Sequence, residues 1–261
     1  APYFDYIVAD PVLIPPDCRA HYDEKVAYLP PSYMANDSRR PISPRAFTRT
    51  DCGLPEGAFV FCCFNNNYKV LPATFDIWMR LLLAVEGSVL WLLEDNPVAA
   101  RNLRREAQAR GVDAARLVFA GRVSPAEHLA RHRLADLFLD TWPYNAHTTA
   151  SDALWAGLPL VTLIGRSFAS RVAASLLTAI GLSELIAETP ARYETLAIEL
   201  AVQPERLSSI RQALERRRAT SALFDGRTFA RRIEVAFEAM QRRQVAGLAP
   251  DDIDVDALLR E

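Results

Sequence analysis

The sequence predicts an α/β fold in which a doubly wound parallel sheet carries helices on both faces. Between about residues 45 and 221, strand-like and helix-like segments alternate strictly along the chain. The strand-like segments are almost entirely apolar, as in Ala58–Phe64, which is typical of parallel strands buried on both faces. This combination favours a Rossmann-like domain whose ligand lies at the carboxyl ends of the strands.

The individual elements follow from the spacing of apolar residues, which is continuous or alternating in strands and three to four residues in helices. The predicted strands are Asp5–Asp10, Val26–Leu29, Ala58–Phe64, Ser88–Leu93, Arg116–Ala120, Asp136–Asp140, Leu158–Leu163 and Leu185–Ala187. The predicted helices are Pro72–Val85, Pro97–Arg110, Pro125–Arg133, His147–Trp155, Ala169–Ile180, Arg192–Ala201, Pro204–Arg218 and Phe224–Val245. We expect the arginines of the last helix to be exposed, namely Arg231, Arg232, Arg242 and Arg243.

Composition narrows the functional class. The chain has 261 residues, half of them apolar, and a net charge of −2. Proteins that bind nucleic acids usually carry an excess of basic residues, so we expect no nucleic-acid partner. No apolar run is long enough to span a membrane, and the first residues lack the pattern of a signal peptide, so we expect no membrane partner. The spacing of the cysteines does not match that of a metal site. We expect them to be reduced thiols of a cytoplasmic protein, and they are Cys18, Cys52, Cys62 and Cys63.

The polar stretch between two predicted strands, residues 140–157, is the central candidate site. Asn145 is a preferred N-cap residue, and the helix after it opens with His147, Thr148 and Thr149. Free backbone N–H groups at the start of a helix, together with two hydroxyls, can bind an anion such as a diphosphate. The alternative is an ordinary βα turn in which these residues only cap the helix.

A second candidate, residues 121–131, follows another predicted strand. Ser124 and Glu127 have the spacing of a capping box. His128 and Arg131 lie three residues apart on one helix face, and a histidine beside an exposed arginine can stack on and hydrogen-bond a nucleobase. The alternative is a surface helix with incidental polar groups.

The third candidate, Asn65–Lys69, follows the first strand of the predicted domain. A lysine at Lys69 can neutralise charge that builds up on a leaving diphosphate without transferring a proton. The alternative for Lys69 is a solvated loop residue. The sequence contains no Gly-x-Gly-x-x-Gly, Walker loop, His-Glu-x-x-His or nucleophile elbow, which excludes dehydrogenase, ATPase, zinc protease and esterase functions.

Seven motifs together resemble those of protein O-GlcNAc transferases and their SPINDLY-type relatives. In chain order they are Phe64–Lys69, Ser88–Leu93, Leu134–Asp136, Leu139–Thr141, His147–Thr149, Asp152–Pro159 and Ala169–Ser175. None is specific alone, but their shared order across most of the chain is highly specific. The resemblance implies a GT-B glycosyltransferase that moves N-acetylglucosamine from UDP-GlcNAc to Ser or Thr hydroxyls of proteins, with inversion and without a metal or other cofactor.

The resemblance also implies which residues bind the donor phosphates. Lys69 matches the lysine that contacts the diphosphate and assists its departure, and is therefore the candidate catalytic residue. Asn66 stands where relatives often have a glutamine near the same phosphates. His147, Thr148 and Thr149 match the phosphate-binding turn.

For the nucleoside, the resemblance implies a second set of contacts. Val123 and Ser124 match backbone contacts to the uracil, and His128 matches the histidine that packs on the base. Arg131 matches a nearby arginine that contacts the nucleotide, and Asp152 an acidic residue near the ribose.

Two positions depart from the family pattern. Ala126 stands where animal members carry a lysine against the nucleotide, so weaker base contacts are expected. Tyr144 replaces a small residue near the sugar pocket, which leaves the sugar less certain. GDP-fucose, the donor of SPINDLY-type members, therefore stays open as an alternative, as does a module that binds nucleotide sugars without catalysis. A nucleotide-sugar 2-epimerase shares the two-lobed architecture but not these motifs.

The resemblance further implies that the chain is part of a larger assembly. Residues 1–44 match the end of the N-terminal catalytic lobe plus a linker, 45–223 the nucleotide-sugar-binding lobe, and 224–261 a C-terminal helix and tail. We expect the rest of the N-terminal lobe, the catalytic base and the tetratricopeptide (TPR) region in the same polypeptide or a companion chain. The last helix is expected to pack on that lobe. The acidic tail with Asp252 and Asp254 is expected to be solvated rather than metal-binding.

Overall fold

A computed structural model of the protein describes residues 3–260. Its strands, in chain order, are β1 (Tyr6–Ala9), β2 (Lys25–Tyr28), β3 (Val60–Cys63), β4 (Val89–Leu93), β5 (Leu117–Ala120), β6 (Leu137–Leu139), β7 (Leu160–Leu163), β8 (Ile186–Ala187) and β9 (Ile253–Asp254). Residues 1, 2 and 261 lie outside the described residues. Two expectations involve those residues and therefore stay predictions. They are the absence of a signal peptide and the outer limits of the domains.

Six of the strands form one parallel sheet in the order β5-β4-β3-β6-β7-β8. Strand β3 pairs with β4 on one side and with β6 on the other, so that Cys62 lies opposite both Trp91 and Phe138. The chain thus progresses to one side of β3 and then to the other. This reversal opens a crevice at the carboxyl ends of β3 and β6. The predicted doubly wound α/β class is confirmed.

Helices cover this sheet on its two faces and bury its apolar strands. They are α1 (Pro72–Ala84), α2 (Pro97–Ala109), α3 (Pro125–Arg131), α4 (Thr148–Trp155), α5 (Val172–Ala179), α6 (Pro190–Val202) and α7 (Pro204–Arg218). Helix α6 packs on α1 and α7, and α4 packs on α3, α5 and α7. Every residue of β3 is buried, as are those of β6 and β7, which explains their almost purely apolar sequences.

A second, smaller sheet joins the two ends of the chain. Its order is β1-β2-β9, all parallel, and it is covered by α8 (Gly226–Val245) and the short α9 (Val255–Leu258). Ala236 of α8 is fully buried in one cluster with Ala27 of β2 and with Leu29, which follows that strand. The last helix therefore packs on the strands predicted to belong to the preceding lobe. Over residues 3–260, no helix has both the length and the apolar character needed to cross a membrane.

Asp10, at the end of β1, connects the small sheet to the large domain through hydrogen bonds. Its buried carboxylate accepts hydrogen bonds from the Ser175 hydroxyl (2.6 Å) and from the backbone amides of Val12, Leu13 and Tyr33. Because Ser175 belongs to α5, one carboxylate ties the two sheets together. The boundaries proposed for the domains, 1–44, 45–223 and 224–261, stay predictions.

Asp251, Asp252 and Asp254 of the acidic tail are exposed, as predicted, but the tail is ordered because it pairs with the small sheet. Asp252 binds the guanidinium of Arg19 (2.7 and 2.8 Å) and accepts from the amide of Val26, while Ile253 and Asp254 pair with β2. This pairing adds a third strand to the small sheet. The paired residues lie so far apart along the chain that no local sequence pattern shows the contact. Arg232 is half-buried rather than exposed, because it binds Asp256 and the carbonyl of Pro30 (2.5 Å each).

Several predicted helix ends differ from those observed. The helix predicted from Ala169 starts at Val172, because Phe168–Ser170 forms a separate 3-10 turn. The last helix starts at Gly226 rather than Phe224, because the Asp225 carboxylate caps it by accepting from the amides of Arg227 and Thr228 (3.0 and 3.1 Å). Arg243 of the same helix is half-buried rather than exposed.

Candidate functional site

A cavity of about 480 Å³ lies at the carboxyl ends of the central strands, beside the crevice at β3 and β6. Its lining includes seven of the residues predicted as site residues: Asn66, Val123, His128, Arg131, Thr148, Thr149 and Asp152. Three others, Lys69, Ser124 and His147, lie on the same loops but outside the lining. We call its two sides the α3 wall (Val123, His128 and Arg131) and the α4 wall (Thr148, Thr149 and Asp152).

Asp140, at the end of β6, shapes the turn that leads into α4. Its buried carboxylate accepts from the amides of Thr141 (2.8 Å) and Ala146 (2.6 Å) and from the hydroxyl of Thr162 (2.6 Å). Burial raises its pKa to about 7, although these hydrogen bonds and the charge of Lys69 oppose the rise. The turn is thus folded around one buried carboxyl group, which fixes the backbone ahead of α4.

The expectation that Asn145 caps α4 is wrong. The N-cap residue is His147, and the buried amide of Asn145 donates instead to the carbonyl of Thr141 (2.8 Å). The N-cap therefore lies two residues later than expected, and the helix starts at Thr148 rather than His147. The ring of His147 lies 3.3 Å from the carbonyl of Ala169 and outside the cavity.

The start of α4 presents hydrogen-bond donors to the cavity. The first amides of a helix have no partner inside the helix, and the dipole favours an anion there. The side chain of Thr148 is exposed, whereas the hydroxyl of Thr149 donates to the side-chain oxygen of Asn65. Asn65 in turn donates to the hydroxyl of Thr141 (2.8 Å), so β3 and the α4 turn are hydrogen-bonded to each other.

Lys69 lies at the end of a 3-10 turn, Asn67–Lys69, that follows β3. Its ammonium nitrogen donates to the carbonyl of Asn145 (2.8 Å) and lies 3.8 Å from the centre of the Tyr144 ring. Partial burial lowers the pKa of Lys69, while the carboxylate of Asp140 opposes that shift. Lys69 is therefore held against the α4 turn and is not a freely solvated loop lysine.

The α3 wall begins at a capped helix end. The hydroxyl of Ser124 accepts weakly from the amide of Glu127 (3.4 Å) and donates to its carboxylate (2.9 Å), with Pro125 in the first turn. This geometry forms half of the predicted capping box, because the Glu127 carboxylate accepts from the hydroxyl of Ser124 rather than from its backbone amide. Val123, one residue earlier, is 40% exposed and faces the cavity.

Arg131 was expected to be exposed, and this expectation is wrong. It is only 4% exposed and donates to the carbonyl of Gly121 (2.7 Å) and to Nδ1 of His128 (3.0 Å). Its guanidinium also lies 5.2 Å from the ring centre of Phe64 and 5.8 Å from that of Trp91. These aromatic side chains come from β4 and from the end of β3, so helix periodicity alone could not show that they enclose Arg131.

Both histidines of α3 and its extension are neutral. Burial, with the charges of His132 and Arg131, lowers the pKa of His128 to about 3, and burial lowers that of the fully buried His132 to about 4. Because Nδ1 of His128 accepts from Arg131, its Nε2 carries the proton. A neutral ring packed 5.0 Å from Phe64 offers an apolar face and one N–H donor.

Sequence patterns missed two residues of this site. Arg40, in the linker before the large domain, lines the cavity and forms an ion pair with Asp152 on α4. Asp140 begins the polar stretch predicted as the central candidate site, but the sequence assigns it no role of its own, although it organises the turn. Arg40 acts through a contact with a residue distant in sequence and lies in a segment without any helix or strand period.

Within residues 3–260, no three histidine, cysteine, aspartate or glutamate side chains come together as a possible metal site. Independence of a metal remains an expectation from the resemblance. The geometry supports binding of a flat apolar group at the α3 wall and of an anion at the start of α4.

Comparison with known proteins places the chain among glycosyltransferases. Residues 39–233 match the sequence model of glycosyl transferase family 41. This chain belongs to glycosyl transferase family 41. It is 35% identical over 261 residues to an Arabidopsis thaliana protein named as a probable UDP-N-acetylglucosamine–peptide N-acetylglucosaminyltransferase SEC, covering 98% of the chain. It is 38% identical over 213 residues to the Caenorhabditis elegans UDP-N-acetylglucosamine–peptide N-acetylglucosaminyltransferase, covering 82% of the chain.

Solved structures give the same fold for this family 41 chain. A mutant of the Thermobaculum terrenum O-GlcNAc transferase superposes with a TM-score of 0.81 and 33% identity, over 93% of this chain and 46% of that one. Sucrose-phosphate synthase from Thermosynechococcus elongatus shares the fold, with a TM-score of 0.64 at 14% identity, over 93% of this chain and 59% of that one. The predicted family and its GT-B-like architecture are confirmed. The chain spans 27% and 18% of the two curated relatives described above.

Proposed function

We propose that this chain is the donor-binding part of an inverting glycosyltransferase that moves N-acetylglucosamine from UDP-GlcNAc to Ser or Thr hydroxyls of proteins. The observation that carries this proposal is the cavity at the switch point of the sheet, where an anion-binding helix start faces the α3 wall with the neutral ring of His128. The names of the relatives, which specify UDP-N-acetylglucosamine and peptide, support this donor and acceptor.

In this proposal the two walls divide the nucleotide between them. The uracil packs on His128 beside Val123, where the neutral imidazole offers a flat apolar face. The diphosphate accepts from the first amides of α4 and from Thr148, close to Asn66 on the opposite side. Because Asp152 lies one helical turn beyond Thr148, the ribose falls between base and phosphates beside that carboxylate.

Lys69 is the proposed catalytic residue of this chain. As the bond to the anomeric carbon breaks, the negative charge on the leaving diphosphate grows. The Lys69 ammonium lies at the turn that binds those phosphates, and it can exchange its contact with the Asn145 carbonyl for a phosphate oxygen. An ammonium aimed at charge that develops only in the transition state accelerates the reaction more than it tightens binding.

The rest of the reaction is proposed to depend on residues outside this chain. The acceptor lobe, the catalytic base and a TPR region would belong to the same polypeptide or to a companion chain, since the chain spans only part of its relatives. Independence of metals and a cytoplasmic location complete the proposal. Retention of transfer activity in excess chelator would support the first of these, and its loss would overturn it.

Calorimetric titration of the chain with UDP and with GDP tests the choice of donor. We expect UDP to bind at least about tenfold more tightly, a difference of about 1.4 kcal/mol. A clear preference for GDP would favour GDP-fucose and overturn UDP-GlcNAc. Sugar transfer by the full-length polypeptide, followed by mass spectrometry of an acceptor protein, then tests activity. Binding of UDP without any transfer would leave a binding module instead.

A further inference from the structure

Hydrogen bonds hold the linker between the small sheet and the large domain in one position across the cavity. Asn36 donates to the carbonyl of Leu223 (3.1 Å) and accepts from the hydroxyl of Ser151 on α4 (2.5 Å). The amide of Ser43 donates to the carbonyl of Ala126 on α3 (3.0 Å). The linker therefore bridges α4 and α3 on either side of Arg40, and its position depends on both cavity walls.

Arg40, at the middle of this bridge, is anchored at both its backbone and its side chain. Its carbonyl accepts from the indole N–H of Trp155 (3.2 Å), and its Nη1 donates to Oδ1 of Asp152. Its Nε and Nη2 are buried and have no hydrogen-bond partner among the described residues. Buried guanidinium nitrogens without partners are costly, so a ligand or ordered water that accepts from them is favoured.

The other oxygen of the Asp152 carboxylate is left for a ligand. Within residues 3–260, Oδ2 has no hydrogen-bond donor, and the side chain keeps 21% of its surface accessible. A carboxylate in this state can accept from a ribose hydroxyl, as an acidic residue does in dinucleotide-binding folds. Because Arg40 occupies Oδ1, it fixes the rotamer of Asp152.

We propose that Arg40 is a positioning residue that orients Asp152 toward the ribose and thereby makes the cavity select ribose over 2-deoxyribose. This rests on the proposed function, because it assumes that a uridine nucleotide occupies the cavity. It assigns part of the donor specificity to the linker. A nucleotide that lacks the 2′-hydroxyl leaves Oδ2 without its donor, which costs affinity.

The test is calorimetric titration with UDP and with 2′-deoxy-UDP. The wild-type chain should prefer UDP by about tenfold, since the lost hydrogen bond is to a charged group. Arg40→Ala should reduce this preference toward onefold, and Arg40→Lys, which keeps the charge, should retain part of it. The matched control is Arg39→Ala: Arg39 is 91% exposed and forms an ion pair with Asp37 of its own loop (3.7 Å), so its variant should keep the wild-type preference.

A double-mutant cycle with Asp152→Asn separates positioning from a merely structural role. Once Asp152 is replaced, Arg40→Ala should change the preference for ribose no further, whereas independent effects would add. If Arg40→Ala does not fold, Arg40→Lys and Asp152→Asn carry the test, since both should lower the preference. If Arg40→Ala, or both Arg40→Lys and Asp152→Asn, still prefer UDP over 2′-deoxy-UDP as strongly as wild type does, the inference is overturned. In that case, binding of UDP by the wild-type chain still upholds the proposed function. Failure of the wild-type chain to bind UDP overturns both.

Discussion

The two walls of the cavity differ in how far their polar groups are already engaged with one another. On the α3 wall, Arg131 is 4% exposed and its guanidinium is hydrogen-bonded to His128 and to a backbone carbonyl. On the α4 wall, Thr148 is exposed, and the first amides of the helix have no partner within it. The α3 wall thus holds the neutral ring of His128 in place beside an arginine that is already hydrogen-bonded, whereas the α4 wall keeps donors available for an anion.

This difference indicates how one cavity can serve two parts of a ligand. A pre-formed apolar wall binds a rigid base with little loss of conformational entropy. The donors of the α4 wall and the Lys69 ammonium instead respond to charge, which changes during a reaction in which diphosphate leaves. Specificity for the base would therefore depend on the α3 wall, and rate acceleration on groups beside the α4 wall.

The largest expected effect is on Lys69. In the full-length polypeptide, Lys69→Ala should lower kcat by about a hundredfold to a thousandfold while the Kd for UDP changes little, because the ammonium acts on charge that develops in the transition state. Steady-state kinetics and calorimetry measure the two quantities. The other lysine of the chain, Lys25 in the small sheet, provides the matched control Lys25→Gln, which should keep kcat. A loss of affinity with unchanged kcat would contradict this role.

A smaller effect is expected from the pH dependence of stability through His132, which is buried directly after α3. The pKa of buried His132 falls from 6.5 to about 4 on folding, so the unfolded chain binds more protons between these values. The stability that neutral His132 contributes is complete above pH 6.5 and is lost as the pH falls toward 4. Between pH 7 and pH 5, wild type should lose about 2 kcal/mol more unfolding free energy than His132→Asn.

Urea unfolding at the two pH values measures this difference, and comparison with the variant cancels the opposing proton uptake by Asp140. His21, which is exposed at the end of the 3-10 turn Pro16–His21, gives the control His21→Asn. That variant should retain the pH dependence of wild type. Equal pH dependence in wild type and His132→Asn would show that His132 is not buried as a neutral ring.

The sequence predicted the sheet and the approximate position of the two cavity walls, but it missed contacts that determine how each wall is built. Alternating apolar segments predicted the sheet, and polar residues at the ends of parallel strands placed His128 and Thr148 at one edge. The burial of Arg131 was missed because Phe64 and Trp91 belong to other elements. The pairing of Arg40 with Asp152 joins residues 112 positions apart and leaves no periodic signal.

The smallest expected effect concerns the α4 wall alone. Thr148→Ala removes one hydroxyl donor and should weaken UDP by about tenfold while leaving uridine nearly unchanged, because a hydrogen bond to a charged phosphate is worth about 1.5–3 kcal/mol. Thr178→Ala, at an exposed position near the end of α5, should alter neither affinity. Calorimetry with both ligands gives the comparison. Equal losses for UDP and uridine would place the phosphates away from α4, and the contrast between the two walls would then no longer explain how the cavity divides a nucleotide.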